Sequence, residues 1–232
     1  MYRCNEIRRN IFSIEDNNVR MYLVCGSKCA VLLDTGYGGE NLLTYVRQIY
    51  SGEVFVAHTH THIDHIGGDA QFDKIYASPA EWDILVKSGI SREHLRPLHN
   101  GDIINLGSKE LTVYETPGHT KCSLCFADKK KRLIFTGDNI SDDTVYLCMP
   151  GSDIELYEKS LRMLLDMQDD YDVYLGCHGR TEQHGTDIQN LLNCISAIKQ
   201  GLAKEETFNP YDDFWARRYS YGVASVFLPL NK

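Results

Sequence analysis

One short segment restricts this chain more than any other: Thr59-His60-Thr61-His62-Ile63-Asp64-His65-Ile66-Gly67-Gly68. It places four metal-capable side chains within six residues, directly after a run (Glu53–Ala57) that reads as a strand. In extended backbone, residues two apart point the same way, so His60 and His62 can hold one ion together. Asp64 and His65 follow where the chain turns toward a helix and can reach a second position. Gly67-Gly68 tolerates tight backbone there. The whole chain has 9 histidines in 232 residues, so four of them at 58, 60, 62 and 65 do not read as a random polar loop. Imidazole and carboxylate suit zinc, iron or manganese. A fold that serves this segment needs a strand to launch it and further strands to bring the missing ligands.

Those ligands have candidates at the C-terminal ends of later predicted strands: His119 in Thr116-Pro117-Gly118-His119-Thr120, Asp138 in Thr136-Gly137-Asp138, and His178 in Gly176-Cys177-His178-Gly179. Short β-branched or aromatic runs predict strands over Asn10–Ile14, Arg20–Cys25, Cys29–Leu33, Lys74–Ala77, Leu111–Thr116, Ser123–Ala127, Arg132–Thr136 and Asp172–Leu175. Apolar residues at helical spacing predict helices over Asn41–Tyr50, Ile154–Met167 and Asp187–Leu202, with another opened by Ser78-Pro79. Two blocks of strands, each followed by helices, point to two facing sheets with helices outside. No linker or repeat divides the chain, which reads as a single domain over 1–232.

The order HxHxDH, PGHT, TGD and GHG-like, with Asp34-Thr35-Gly36 and Gly101-Asp102 beside them, resembles the metallo-β-lactamase superfamily over roughly residues 10–200. The resemblance implies an α/β fold, a four-layer αββα sandwich. It implies that His60, His62 and His119 hold a first metal and Asp64, His65 and His178 a second, with Asp138 shared. Asp34 resembles the carboxylate that orients a histidine ligand. The implied cofactor is two divalent ions, zinc first, with iron or manganese also accepted. The implied activity is hydrolysis of a small ester, thioester, lactone or phosphoester by a metal-bridging hydroxide, with Asp64 and Asp138 in the catalytic role. The loop is most similar to the glyoxalase II and lactonase branches. Two other readings stand beside it: a mononuclear iron persulfide dioxygenase, and a non-catalytic metal-binding module.

His58 stands where the family usually has an apolar or small residue; it reads as a partner to the ligands or as a hydrogen-bonded structural histidine. Lys121 and His184 are the candidate substrate contacts. Cys122 and Cys125 form a CxxC, yet residues three apart on a strand face opposite ways, which argues against a metal or redox pair. With 24 basic against 32 acidic residues and a net charge of −8, a broad nucleic-acid surface is disfavoured. The expected partner is a small molecule. No apolar run is long enough to span a bilayer. The opening MYRCNEIRRN has no apolar stretch behind its basic residues, and the eight cysteines are scattered, so the expected compartment is cytoplasmic. The stretch 203–232 reads as an aromatic-rich extension or last strand. It holds Phe208, Tyr211, Phe214, Trp215, Tyr219 and Tyr221, and a lid, a homodimer contact and core packing are its three readings.

Overall fold

The structure is a computed structural model describing residues 2–39, 41–211 and 214–230. Among them, no helix is long and apolar enough to cross a membrane. The chain divides into two compact units, the first formed by 1–114 with 124–128 and the second by 115–123 with 129–232.

The first unit is built on a seven-stranded sheet of β1 (Arg3–Arg8), β2 (Ile11–Asp16), β3 (Val19–Cys25), β4 (Ala30–Leu33), β5 (Val54–Ala57), β6 (Ile75–Ala77) and β7 (Leu95–Pro97), in chain order. Strands β1 to β4 pair antiparallel, and β4 to β7 pair parallel. The change of direction follows from the connections. Asn17 and Asn10 take the left-handed conformation (φ 57° and 59°) that tight hairpins need. The parallel strands instead require crossovers, supplied in part by α1 (Leu42–Ile49), α2 (Ile63–Ile66) and α3 (Trp82–Lys87). Helix α1 is capped by Asn41, whose side chain accepts from the Thr44 amide at 2.9 Å, and it buries Leu42 and Val46. Pro79 opens a 3-10 turn before α3, so the helix proper starts three residues later than Ser78-Pro79 predicts. Strands β8 (Ile103–Asn105), β9 (Glu110–Glu115) and β10 (Leu124–Asp128) follow, with β9 between the other two.

The second unit contains β11 (Leu133–Gly137), β12 (Val145–Tyr146), α4 (Ile154–Asp166), β13 (Val173–Gly176), β14 (Glu182–Gln183), α5 (Gly185–Lys199), β15 (Lys204–Tyr211), β16 (Phe214–Tyr221) and β17 (Ala224–Pro229). Strand β13 runs parallel to β11 and antiparallel to β14. Asp153 caps α4 by accepting from the amides of Glu155 and Leu156 at 2.8 and 3.0 Å. The aromatic tail forms a meander, β15-β16-β17, completed by β12 into a four-stranded sheet. Ala216, Val226 and Phe227 are buried in it, whereas Trp215 and Phe208 are largely exposed. The side chains of Tyr211 and Phe214 lie outside the described residues.

Glycine matters most at Gly67. Its backbone is ordinary helix (φ −63°), yet a Cβ there would stand 2.2 Å from the Tyr37 carbonyl carbon and oxygen. The need is therefore close approach of two chain segments, sealed by the Gly67 amide donating to the Gly36 carbonyl at 2.8 Å. Gly67→Ala is expected to destabilise the fold by about 2 kcal/mol, lowering Tm by about 4–8 °C in a thermal melt.

All eight cysteines are free thiols. Burial pushes the Cys25 and Cys148 thiols up to about 11. Iodoacetamide at pH 8 should leave both unlabelled in folded protein and label them after unfolding, read by peptide mass mapping.

Candidate metal centre

The first unit supplies four of the expected ligands from the β5–α2 connection. Strand β5 ends at Ala57, and the chain stays extended through His62 (φ −67°, ψ 155°) before α2 begins. His60 and His62 consequently approach each other, His60 Nε2 to His62 Nδ1, at 3.1 Å. Asp64 and His65 sit on α2 with Asp64 Oδ2 3.6 Å from His65 Nε2. Thr61, between the two histidines in sequence, donates to the buried Glu81 carboxylate at 3.0 Å, pinning the loop.

Behind these ligands lies Asp34, which follows β4 directly. It is fully buried and takes a left-handed backbone (φ 65°), a conformation that costs a side-chain-bearing residue about 1 kcal/mol. Oδ2 accepts from His65 Nδ1 at 2.9 Å and from the Thr59 hydroxyl at 2.7 Å. Oδ1 accepts from the Thr59 amide at 2.8 Å and faces His58 Nδ1 at 3.3 Å. Burial alone would raise this carboxyl, but His65 and then His58 hold it well below the usual carboxylate range. Burial also opposes charge on His58, and Asp69 followed by Asp34 overcomes it, pushing the imidazole up to about 9.

The other three candidates stand in the second unit. Asp138 follows β11, released by Gly137 in the left-handed region (φ 56°). His178 follows β13. His119 stands in the turn after Gly118, which has φ 132° and whose added Cβ would lie 2.2 Å from the Tyr157 amide nitrogen at the start of α4. Asp138 Oδ2 is 3.3 Å from His178 Nε2 and 3.6 Å from His119 Nε2. His119 Nδ1 donates to the Tyr146 carbonyl at 2.8 Å.

Three histidines thus share one pattern. The Nδ1 of His119 faces a carbonyl and that of His65 a carboxylate, both able only to accept, so each Nδ1 carries the proton. His60 Nδ1 lies 3.0 Å from the Thr59 hydroxyl. That hydroxyl gives its proton to Asp34 and so accepts from His60. In every case Nε2 is left to offer a lone pair, and it faces another electron-rich atom. Nε2 atoms turned toward further imidazole and carboxylate atoms, in rings whose far nitrogen is tied down, are the usual arrangement of metal ligands. The donor set therefore fits divalent ions, and the described residues hold histidine–aspartate clusters able to bind metal.

The remaining candidates are placed as follows. Lys121 is exposed, its stem over Gly151. His184 stands at the N-terminus of α5, its Nδ1 donating to the Asp172 carbonyl at 2.9 Å and its amide to Asp187 at 2.8 Å, a capping arrangement. Sequence reading passed over Asp69 and Thr35. Their signal was available: a buried His58 needs an acceptor, and Asp69 is the first carboxylate after Gly67-Gly68. Removing the hub should be costly even without metal. Asp34→Ala strands His65, His58 and Thr59 as buried donors, and urea unfolding in the presence of chelator should show a loss of about 3 kcal/mol or more.

A family model described as the metallo-β-lactamase superfamily matches residues 14–178. The acyl-coenzyme A thioesterase MBLAC2 of Homo sapiens is 29% identical, with 66% of this chain and 69% of the relative covered. Thioesterase pkgB of Emericella nidulans is 27% identical, with 84% of this chain and 54% of the relative covered; the chain thus spans about half of that fungal protein. Among solved structures, a metallo-β-lactamase from Pontibacter korlensis superposes with a TM-score of 0.73 at 18% identity, over 84% of this chain and 99% of that one. That likeness carries the fold, an α/β sandwich of mixed sheets and helices. The family match, the ordered motifs and the histidines bound at Nδ1 agree, and the chain belongs to the metallo-β-lactamase superfamily as one of its metallo-hydrolases.

Proposed function

We propose that this hydrolase cleaves acyl thioesters with two divalent ions, zinc being the first choice. The observation that carries the metal reading is the shared orientation of His60, His65 and His119, each bound at Nδ1 with Nε2 presented. His60, His62 and His119 would hold one ion, Asp64, His65 and His178 the other, and Asp138 both. When bound, the ions supply Lewis acidity toward the thioester carbonyl and bring a water's pKa toward neutrality.

The chain's own groups do the rest. Asp34 keeps the His65 ring fixed and, through Thr59, the His60 ring as well. Asp64 and Asp138 are the carboxylates that accept and pass on the proton of the attacking water. Lys121, exposed and two residues from His119, would meet an anionic group of the substrate. A thiol leaves as the thiolate near its ordinary pKa of about 8.5, so this chemistry makes little demand on a general acid. Thioesters are preferred over esters, lactones and phosphoesters because relatives from both vertebrates and fungi are named thioesterases.

The test is metal content on protein purified without added metal, together with turnover of an acyl-coenzyme A, a lactone and a phosphodiester. Two zinc or manganese ions per chain with thioester cleavage is the expected result. One iron with oxygen uptake and no hydrolysis would replace the proposal with the persulfide dioxygenase, and metal without any turnover with a binding module. His60→Ala and Asp138→Ala should each cut kcat/KM by more than about a hundredfold, beyond the 10–100-fold typical of changes to a ligand's outer partners. Their circular dichroism should stay that of the parent.

A further inference from the structure

His58 and Asp69 take no part in the chemistry above, yet they are buried and bonded to its support. His58 Nε2 lies 2.9 Å from Asp69 Oδ2, and its Nδ1 lies 3.3 Å from Asp34 Oδ1. The other oxygen of Asp69 accepts from the Thr35 hydroxyl at 2.7 Å. Thr35 Oγ1 in turn accepts from the Gly68 amide at 3.1 Å, and the Thr35 amide donates to the His65 carbonyl at 2.7 Å. The result is a closed circuit running Thr35, Asp69, His58, Asp34, His65 and back to Thr35. Every member of it is at least nine-tenths buried.

A buried ionic group of this kind is a poor device for stability alone. Well-packed apolar side chains of similar volume are often as good or better. What the circuit does provide is a fixed torsion for one carboxylate. Asp34 serves His65 directly and His60 through Thr59, and both services use Oδ2. Donors on Oδ1 are what keep Oδ2 turned toward them. The Thr59 amide is one such donor, and His58, anchored by Asp69, is the other.

We propose that His58 and Asp69 are positioning residues for both metal positions at once, acting through the single carboxylate of Asp34. The proposal rests on the two-ion reading above. It makes His58, in a place where the family usually has an apolar or small residue, a support that ties the tightness of one ion to that of the other.

The informative variant is His58→Leu/Asp69→Leu. The single change His58→Leu leaves the Asp69 carboxylate against a leucine, so loss of fold would explain any result. The double change removes both partners together, which can be nearly neutral for stability, and Thr35 keeps the His65 carbonyl. Zinc affinities by chelator competition and the visible spectrum of the cobalt-loaded protein should be measured beside a thermal melt. We expect a folded double variant in which both stepwise affinities fall by about tenfold or more and the cobalt bands shift. A folded double variant with both affinities within twofold of the parent and an unchanged cobalt spectrum overturns the proposal. A parent that takes up fewer than two ions overturns the two-ion reading instead. The comparison is then still read on the ion that remains, because Asp34 reaches His60 and His65 alike.

Discussion

A carboxylate removed from water is among the more expensive things a protein can bury, and Asp34 is tolerable only because donors converge on it from His65, His58 and both the amide and hydroxyl of Thr59. That requirement orders much of the first unit. Strand β4 must end where Asp34 turns left-handed. Strand β5 must end close enough for Thr59 to donate twice, and α2 must present His65 from the other side. The candidate ligands His60 and His65 inherit their orientation from this solution. On the proposed metal reading, metal binding and folding would draw on the same hydrogen bonds.

Close backbone contacts explain two of the glycines near the candidate ligands. Gly67 lies against the Tyr37 carbonyl and Gly118 against the first turn of α4. Neither is a loosening of the chain. Each lets two backbones approach more closely than a methyl group would allow, and each is near a candidate ligand in the sequence, His65 in one case and His119 in the other.

Much of this was legible in the residues themselves. Val19–Cys25 and Ala30–Leu33 are apolar or aromatic at every position but Arg20 because both faces are buried, and sequence reading finds such strands easily. Strand β1 escapes it. Arg3–Arg8 is a polar edge strand with an exposed or half-buried pattern, so no apolar periodicity marks it. Strand β15, with Lys204, Glu205 and Glu206, fails the same way, and the tail it begins, which reads as an extension or a last strand, forms three strands of a sheet. In the metal centre, the motifs pick out the ligand candidates because imidazole spacing is a local property. The tautomer of each ring is not local. It depends on Tyr146 and Asp34 arriving from other segments, Asp34 acting on His60 through the adjacent Thr59, and Asp69 matters only through a histidine eleven positions earlier.

The direction of the hydrogen bonds has a further consequence. Along the path His60–Thr59–Asp34–His65, every proton points inward to one buried anion, and every lone pair points out. The rim of the first unit is therefore electron-rich, with the Asp64 carboxylate adding to it. The thioester of the proposed reaction would present an electron-rich carbonyl oxygen, which such a rim repels until cations have reversed its sign. On that proposal the order of arrival would be ions before substrate, and the same bonds that fix the rings would make the bare protein a poor trap for a thioester.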